Sequence, residues 1–338
     1  MTANTATVSG PLQGLKVIEM GQLIAGPFAA KTLGDLGADV IKIEPPEGGD
    51  PLRQWRLIKD GTSVWWQVQS RNKRSIALDL RQPDGQAIAR ELIAQADVLV
   101  ENFRPGTLEA WGMDYETLAA TNPGLILLRI SGYGQTGPYR DKPGFGVIGE
   151  AMGGLRHLTG EPGRVPAGSA LPGIAPSNAY RCRDGQVLVA GNGDSIFRRL
   201  MVAISRPDLA ERPDLASNTG RVASVAEIDG AIGQWTSERT VSEVLAALDA
   251  AQVPVGRIYT ARDIAEDPHY RAREMILTQR TREGYDVEVP GIVPKLSVTP
   301  GGVRSPAPRL GEDTDAVLRE LGHTDEQIAA LRQRGLIR

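Results

Sequence analysis

The sequence predicts an α/β protein with a parallel sheet that carries helices on both faces, and its length allows two domains or one large one. Three observations support this fold class. Short apolar strands alternate with helices over residues 16–130, turns rich in Gly and Pro fill residues 131–178, and helix-capping signals recur in the C-terminal half. Strands that alternate with helices form parallel sheets, because each helix carries the chain back to the start of the next strand.

The first strand–helix–strand unit lies within residues 16–43. Lys16–Met20 is a short apolar strand, Pro27–Leu36 has the pattern of a helix, and Asp39–Ile43 is the next strand. Gly37 directly follows the helix, and glycine commonly ends helices because it adopts positive φ without strain. This unit predicts two neighbouring parallel strands with a helix on one face of the sheet.

Further strands follow in the same pattern. Asp84–Gln95 is an amphipathic helix, and the strands Asp97–Val100 and Leu125–Ile130 come after it. In open parallel sheets, ligands bind beyond the carboxyl ends of the strands. The loops after Met20, Glu44, Val100 and Ile130 should therefore surround one cleft.

The second half of the chain changes in character. Residues 131–178 read as turns, with a helical pattern only at Val147–Leu155. Ala179–Cys182 and Val187–Ala190 then predict a hairpin around an Asp-Gly turn, and Val253–Val255 reads as a strand. Three pairs fit a capping box, in which two side chains satisfy free N–H groups at a helix start: Ser224 with Glu227, Thr240 with Glu243, and Thr324 with Gln327.

Composition excludes several classes of function. The 338 residues are 41% hydrophobic, and the net charge of −3 offers no basic face for nucleic acid. The N-terminus lacks a signal-peptide pattern and no apolar run is long enough to cross a bilayer, so we expect a cytoplasmic protein without membrane contact. Cys182 is the single cysteine and only three histidines are present, so we expect a structural thiol, no disulfide and no metal site.

Two glycine-rich loops and one basic run each have two interpretations. Gly132–Gly137 matches G-x-G-x-x-G, but Pro138 follows and no helix opens there, which disfavours a dinucleotide site. Gly21–Gly26 lacks the Lys of a phosphate-binding loop; its N–H groups either hold an anionic group or only reverse the chain. Arg71–Arg74 is either a solvated charged face or a phosphate-facing group beside the cleft.

Several sequence blocks occur in the order typical of one family. They are Leu15–Met20, Leu23–Pro27, Leu36–Glu44, Arg71–Ser75 with Leu78–Leu80, Asp97–Gly106, Gly132–Pro138, Val253–Gly256, Asp267–His269, Val289–Gly291 and Leu310–Thr314. With these blocks the chain resembles the family III coenzyme A transferases (CaiB/BaiF-like acyl-CoA transferases) over nearly its whole length.

This resemblance implies a domain arrangement and an assembly. Residues 1–166 and 291–338 would form a large, Rossmann-like CoA-binding domain around the parallel sheet, and residues 167–290 a smaller α+β domain. Two protomers would interlock as a homodimer. The partners would be an acyl-CoA and a small carboxylic acid.

The resemblance also implies which segments contact coenzyme A. The CoA adenine and phosphates would lie against Ile24, Ala25, Arg74, Leu78, Asp79, Leu80, Arg81, Asn102, Phe103 and Arg104. Guanidinium groups suit phosphate oxygens because they form bidentate, charge-assisted hydrogen bonds. For Leu78 and Leu80, plain structural packing is an equal alternative.

The implied reaction moves CoA from a succinyl-CoA-like donor to a free carboxylic acid. An enzyme carboxylate, an aspartate in this family, attacks the thioester and is itself converted to a CoA thioester. Coenzyme A is thus a substrate, and no permanently bound cofactor or metal is expected. A glycine loop that resembles Gly168–Pro176, with Gly168 and Gly173, would stabilise the oxyanion, although a plain interdomain linker is an equal alternative.

The expected aspartate has no counterpart in the sequence. Between Gly137 and Asp184 the acidic residues are Asp141, Glu150 and Glu161. In the family, a segment with the aspartate, a long helix and a strand precedes the glycine loop. Here residues 161–166 pass directly to residue 167, so we expect that several dozen residues are missing and that the aspartate is missing with them.

Three functional hypotheses follow. In the first, the chain is a working transferase in which Glu161 or Glu150 replaces the aspartate. In the second, it is a CoA-binding relative that is catalytically impaired, or an internally deleted form. The third, α-methylacyl-CoA racemisation, is disfavoured because Phe145 and Gly146 stand where that branch has a proton-transferring histidine.

Overall fold

A computed structural model describes residues 10–142, 144 and 173–338. The helical pattern at residues 147–155 and the predicted site residues Glu150, Glu161 and Gly168 lie outside the described residues. The chain divides into two compact units. The parallel-sheet unit comprises Met1–Phe145 and Asp267–Arg338, and the helical unit comprises Gly146–Glu266.

The described strands are, in chain order, β1 Lys16–Glu19, β2 Asp39–Glu44, β3 Ile58–Lys59, β4 Thr62–Ser63, β5 Lys73–Ala77, β6 Val98–Glu101, β7 Ile126–Arg129, β8 Ser177–Cys182, β9 Gly185–Ala190, β10 Val255–Arg257, β11 Ile276–Arg280 and β12 Asp286–Pro290. The described helices are α1 Ala25–Asp35, α2 Val64–Gln69, α3 Pro83–Ala94, α4 Thr107–Ala110, α5 Tyr115–Thr121, α6 Asp194–Ala203, α7 Pro207–Ala210, α8 Asn218–Ala223, α9 Val225–Ser237, α10 Val241–Ala250, α11 Ala261–Glu266, α12 Pro268–Ala272, α13 Thr314–Glu320 and α14 Asp325–Gln333. Short 3₁₀ helices occur at Pro51–Gln54 and Pro213–Leu215.

The parallel-sheet unit contains a five-stranded sheet in the order β5–β2–β1–β6–β7, and its paired strands are all parallel. In the central register, Val17 of β1 lies opposite Val40 on one side and Val98 on the other. Two antiparallel pairs, β3–β4 and β11–β12, complete the strands of this unit. The predicted fold class is confirmed.

Each face of the sheet carries a cluster of buried apolar side chains, as expected for parallel strands that helices cover on each side. On one face, Ile18, Ile41, Ile76 and Leu99 pack with side chains of α3, α13 and α14. On the other face, Val17, Val40, Val98 and Val100 pack with Ala30 of α1. The three apolar side chains predicted for the buried face of α3, Ile88, Leu92 and Ile93, are all buried.

The C-terminal residues of the chain pack along β5. Asp313 accepts a hydrogen bond from Ser75 N at 2.9 Å, and Thr314 Oγ1 accepts one from Ala77 N at 3.0 Å. Leu78 forms an antiparallel bridge with Ile337. The C-terminal segment therefore completes the edge of the sheet that β5 forms.

The compact units differ from the domain boundaries expected at 166/167 and 290/291. In the structure, residues 267–290 belong to the parallel-sheet unit. Two hydrogen bonds link the hairpin β11–β12 to this unit. Arg71 Nη1 donates to the carbonyl oxygen of Pro290, in β12, at 3.0 Å, and Gln67 Nε2 donates to Glu283 Oε2, between the two strands, at 2.9 Å.

The helical unit contains the antiparallel sheet β8–β9–β10 packed with helices. The predicted hairpin of residues 179–190 is confirmed, and Cys182 at its turn is buried. Burial raises the pKa of the Cys182 thiol, which fits a structural thiol and not a nucleophile. Arg221 is fully buried in this unit and donates to the carbonyl oxygens of Ala175, Leu215 and Asn192.

Two of the three predicted capping boxes are confirmed, at Thr240 with Glu243 and at Thr324 with Gln327. The third is wrong: Ser224 precedes α9, but its side chain makes no capping hydrogen bond. Ser224 also ends α8, and its backbone, at φ −111° and ψ 20°, lacks the extended geometry of a helix start. Glu227 instead makes hydrogen bonds with Arg212.

Candidate functional site

A cavity of about 390 Å³ lies at the carboxyl ends of β1, β2, β5 and β6. It is lined by Met20, Gln22, Ile43, Glu44, Pro45, Glu47, Leu78, Asp79, Leu80, Arg81, Phe103, Thr107 and Trp111. This is the edge at which open parallel sheets bind ligands, and we call it the carboxyl-end cavity. Three of the four loops expected around a cleft, those after Met20, Glu44 and Val100, contribute to its lining, whereas none of the described residues after Ile130 does.

The structure brings five of the predicted contact residues together in this cavity. Leu78, Asp79, Leu80 and Arg81 follow β5, and Phe103 follows β6. Leu78 packs in the apolar core, forms a backbone bridge with Ile337 and also lines the cavity, so core packing and cavity lining occur together at this residue. Parallel strands place these two segments on the same edge of the sheet, which explains their proximity.

Arg81 lies at the mouth of the carboxyl-end cavity. Its Nε donates to Asp79 Oδ1 at 2.9 Å, and the same carboxylate oxygen accepts from Arg81 N at 3.0 Å. The hydrogen bond from Arg81 lowers the pKa of the Asp79 carboxyl, although partial burial opposes this effect. The Arg81 side chain is 73% exposed, so its remaining N–H groups are accessible to a ligand anion.

Two aromatic rings form one wall of the cavity. Phe103 and Trp111 meet edge to face, with ring centroids 5.3 Å apart and an interplanar angle of 76°. Glu101 fixes the backbone that presents the Phe103 ring, because its carboxylate accepts a hydrogen bond from Phe103 N at 2.6 Å. Burial raises the pKa of Glu101, although Arg129 and this N–H group stabilise its charged form. A flat apolar ligand group would find a preformed aromatic wall here.

The loop Gly21–Gly26 runs from β1 into α1 at the same edge. A Cβ atom on Gly21 would lie 2.8 Å from the Cα of Gly26, so both positions require glycine. Leu23 within the loop has φ +61°, a conformation that non-glycine residues rarely adopt. No side chain caps the N-terminus of α1. N–H groups at such a helix start are suited to an anion.

The remaining predicted contact residues lie near this loop. Ile24 precedes α1 and packs with the buried residues Leu52, Trp66 and Ala307, while Ala25 is exposed at the first position of α1. Asn102 bonds to the backbone of Gln22, with Oδ1 accepting from Gln22 N at 2.6 Å and Nδ2 donating to Gln22 O at 2.9 Å. Arg104 is exposed after Phe103.

A buried charged cluster lies beneath the loop, and the sequence analysis missed it. Lys42 Nζ is 2.9 Å from Glu19 Oε1 and 2.9 Å from Asp50 Oδ2, and Lys73 Nζ is 2.7 Å from Glu19 Oε2. All four side chains are almost fully buried. Buried ions of this kind require partners because an isolated charge is strongly disfavoured away from water.

The cluster shifts the pKa values of its members in different directions. Burial acts against the charged form of Lys42, but Glu19 and Asp50 outweigh burial and hold its pKa above the usual range. Burial lowers the pKa of Lys73 to about 8, even though Glu19 favours its charged form. The pKa of Asp50 is lowered because Lys42 and two backbone N–H groups outweigh its burial.

The side chains of the basic run Arg71–Arg74 are bonded to carboxylates in this structure and do not line the carboxyl-end cavity. Arg71 is fully buried against Asp35, and Lys73 belongs to the buried cluster. Arg74 pairs with Asp39 and Glu320 beside a separate cavity of about 240 Å³, which the amino ends of β1 and β2 help to line. The structure therefore does not bring Arg74 together with the other predicted contact residues.

Several cavity residues were not predicted as contact residues. Glu44 ends β2 and Glu47 follows it, in the loop that the carboxyl-end rule had placed beside the cleft, but neither side chain was named as a ligand contact. Arg53 binds Glu44 through two hydrogen bonds of 2.7 and 2.8 Å, which lower the Glu44 pKa although burial opposes this. Trp111, which follows α4, carries no comparable signal in the sequence pattern.

The predicted catalytic region lies mostly outside the described residues. Glu150, Glu161 and Gly168 are not described. Asp141 is exposed and pairs with its neighbour Arg140 at 3.4 Å, which is an ordinary solvated environment. Gly173 has φ +79°, and its carbonyl oxygen accepts from Asn218 Nδ2 at 2.9 Å within the helical unit.

Within residues 10–142, 144 and 173–338, no three His, Cys, Asp or Glu side chains are grouped so that they could hold a metal ion. Over the same described ranges, none of the helices has the length and apolar character needed to span a bilayer.

Known proteins resemble this chain over almost its whole length. The family model described as CoA-transferase family III matches residues 12–170 and 163–314. Succinyl-CoA–D-citramalate CoA-transferase of Chloroflexus aurantiacus is 39% identical over 394 residues, which covers 97% of this chain and 98% of that protein. The β subunit of succinyl-CoA–L-malate CoA-transferase from the same bacterium is 35% identical over 407 residues, covering 100% of both chains. A crystal structure of a CAIB/BAIF family protein from Brucella suis, 32% identical, has a TM-score of 0.77 and covers 93% of this chain and 100% of that one.

Proposed function

Because the chain belongs to CoA-transferase family III, we propose that its carboxyl-end cavity binds the CoA part of an acyl-CoA. The reaction we assign to it is transfer of CoA from succinyl-CoA to a small carboxylic acid. The observation that carries this proposal is the convergence of Leu78–Arg81 and Phe103 on one cavity at the carboxyl edge of the parallel sheet.

The cavity suits the nucleotide end of coenzyme A. Its volume of about 390 Å³ is within the range of small-molecule sites. The Phe103 and Trp111 rings, with Leu78 and Leu80, provide apolar contacts for an adenine ring. The accessible guanidinium of Arg81 at the mouth provides hydrogen-bond donors for phosphate oxygens.

The names of the two relatives suggest the acyl donor and the class of acceptor. Both relatives are named for succinyl-CoA as donor, and their acceptors are D-citramalate and L-malate. These acceptors are hydroxy dicarboxylic acids. We propose succinyl-CoA as the donor for this chain and a hydroxy dicarboxylic acid as the acceptor.

Transfer in this family requires a carboxylate nucleophile. The carboxylate attacks the thioester carbonyl and the C–S bond breaks, so that CoA leaves as the thiolate and a mixed anhydride of succinate and the enzyme carboxylate remains. The thiolate then attacks the enzyme carbonyl, which releases succinate and leaves an enzyme–CoA thioester. The acceptor carboxylate repeats these steps in reverse and leaves with CoA. Without an enzyme carboxylate, CoA binding would remain but transfer would not.

A second candidate function, CoA binding without transfer, is favoured by the length of the alignments. The alignment with the L-malate enzyme β subunit extends over 407 residues and this chain has 338, so about 69 positions contain residues of the relative only. The family model matches the chain in two parts that meet at residues 163–170. This supports the expectation that a segment with the nucleophilic aspartate is missing there, and it leaves Glu161 and Glu150 as the substitutes to test.

One experiment tests both candidates. The full chain is titrated with CoA by isothermal calorimetry, then incubated with succinyl-CoA, quenched and measured by intact mass. A CoA-thioester adduct that maps to Glu161 or Glu150 would show a working nucleophile and exclude binding without transfer. Unchanged mass with measurable CoA binding would support the second candidate. Absence of CoA binding would contradict both.

Transfer itself is measured separately. The protein is incubated with succinyl-CoA and either L-malate or D-citramalate, and the CoA esters are separated by chromatography. Formation of malyl-CoA or citramalyl-CoA would support the proposed acceptor class. We also propose a cytoplasmic interlocked homodimer, and light scattering behind size-exclusion chromatography would test the dimer by its mass.

A further inference from the structure

We infer that Asn102 is a positioning residue for CoA binding, and that it acts by holding the loop Gly21–Leu23 against the carboxyl-end cavity together with Lys42 and Asp50. This inference rests on the proposed function, since it concerns the cavity assigned there to CoA. It differs from a direct contact role for Asn102, because the observed partner of its side chain is the loop.

The Asn102 amide is committed to one residue of the loop. Its oxygen accepts from Gln22 N at 2.6 Å and its nitrogen donates to Gln22 O at 2.9 Å. A side-chain amide that bonds both backbone groups of one residue fixes the peptide planes on both sides of it. Gln22 lines the carboxyl-end cavity, so Asn102 sets the position of a cavity wall.

The residues on either side of Gln22 are held by two further side chains. Lys42 Nζ donates to the carbonyl oxygen of Gly21 at 2.7 Å, and Asp50 Oδ1 accepts from Leu23 N at 3.0 Å. Lys42 and Asp50 also pair with each other, 2.9 Å apart. Three consecutive loop residues are thus each fixed by a side chain from a different part of the unit: β2, the start of a 3₁₀ helix, and the end of β6.

This arrangement maintains a backbone that would otherwise relax. Leu23 has φ +61°, a region that disfavours residues with a Cβ atom. If the loop were released, it would spend less time in the conformation that forms the cavity wall. The apparent affinity for a ligand is proportional to the fraction of molecules whose loop is in the binding-competent conformation, so it falls as that fraction falls.

A matched pair of variants tests the role of Asn102. Asn122 is also half-buried and makes two hydrogen bonds to backbone oxygens, those of Ile93 and Ala96, away from the cavity. We expect Asn102→Ala to raise the Kd for CoA about 10-fold, the effect of losing one or two hydrogen bonds that fix the loop. Asn122→Ala should leave the Kd within about two-fold, while both variants lower the melting temperature.

A second variant separates positioning from stability. Leu23→Gly removes the unfavourable φ and makes the loop more flexible without removing a bond from Asn102. We expect its melting temperature to stay close to that of the wild type while the Kd for CoA rises several-fold. A change in affinity without a change in stability is not what a purely structural role produces.

The outcomes distinguish this inference from the proposed function. If wild-type protein binds no CoA by calorimetry, the proposed function is wrong and this inference is wrong with it. If the wild type binds CoA but Asn102→Ala and Leu23→Gly bind it equally well, only the positioning role is wrong. An equal loss of affinity in Asn122→Ala would also contradict it, since the effect would then follow stability.

Discussion

The guanidinium of Arg71 makes two hydrogen bonds with the carboxylate of Asp35, at 3.0 and 2.7 Å, and both side chains are buried. Lys31 pairs with the same carboxylate at 3.0 Å, and Asn72 donates to it at 2.8 Å. Arg71 also donates to Pro290 O. One carboxylate at the end of α1 therefore joins this helix to the start of β5, and Arg71 extends the connection to the hairpin β11–β12.

Arg71→Met should destabilise the protein strongly. Removal of one partner from a buried ion pair leaves the other charge uncompensated, and such changes typically cost about 3–5 kcal/mol in the free energy of unfolding. Urea denaturation measures this quantity. The control is Arg206→Met, because Arg206 pairs with Asp208 on the surface and its loss should shift the midpoint little. Equal shifts for the two variants would contradict a structural role for the buried pair.

Phe103→Ala should weaken CoA binding about 10-fold. Stacking of a base on an aromatic side chain contributes roughly 1–3 kcal/mol, and the alanine variant also removes one half of the Phe103–Trp111 wall. Calorimetric titration with CoA gives the Kd. Phe28→Ala is the matched control, since Phe28 is 54% exposed and does not line the cavity. If the control loses as much affinity as Phe103→Ala, adenine does not bind at this wall.

Arg81→Gln and Arg74→Gln should differ in their effect on CoA affinity. Arg81 stands at the mouth of the carboxyl-end cavity, whereas Arg74 pairs with Asp39 and Glu320 beside the other cavity. We expect Arg81→Gln to raise the Kd about five-fold at low salt and to flatten its salt dependence, because surface charge contacts are screened by ions. Arg74→Gln should leave the Kd unchanged. The reverse order would return Arg74 to the phosphate-binding role expected from the sequence.

Lys73 should make stability depend on pH in the alkaline range. Burial lowers its pKa from the ordinary 10.5 to about 8, so between these values the unfolded chain holds more protons than the folded one. Stability rises with pH wherever the unfolded state binds more protons, so the contribution of Lys73 becomes more favourable from pH 8 to pH 10.5.

The measurement is the urea midpoint at pH 7.5 and pH 9.5 for the wild type and for Lys73→Met, both buffered at equal ionic strength. Because methionine does not titrate, the wild type should gain stability relative to the variant as the pH rises. Parallel pH profiles for the two proteins would show that Lys73 keeps an ordinary pKa.

The regular elements of the parallel-sheet unit were largely predictable. The predicted bounds of β1, β2, β6, β7, α1 and α3 lie within a few residues of the observed ones, because apolar periodicity and helix-ending glycines are local signals. Gly37 follows α1 with φ +113°, as its position suggested. The resemblance to a family added the cavity segments Leu78–Arg81 and Phe103, which no local pattern identifies.

The environments of charged residues were not predictable in this way. Arg71, Lys73 and Arg74 are nearly adjacent in sequence. Nevertheless, Arg71 and Lys73 are buried and paired with different carboxylates, whereas Arg74 forms its ion pair near the surface. Their partners Asp35, Glu19 and Asp39 lie more than 30 positions away in the sequence. The capping box predicted at Ser224 fails for a local reason. Ser224 ends α8 and also precedes α9, and its backbone has the geometry of a helix end and not of a helix start.

The packing of the C-terminal segment on β5 has a consequence for biosynthesis. Ser75 receives its partner Asp313 from 238 positions further along the chain, and the strand edge that leads into the cavity wall is closed by Ile337. While the ribosome is still translating those residues, the edge of β5 is unpaired and its amide groups are exposed. A nascent chain would therefore complete the wall of the carboxyl-end cavity only after synthesis of this distant segment, and until then the open strand edge can pair with other chains.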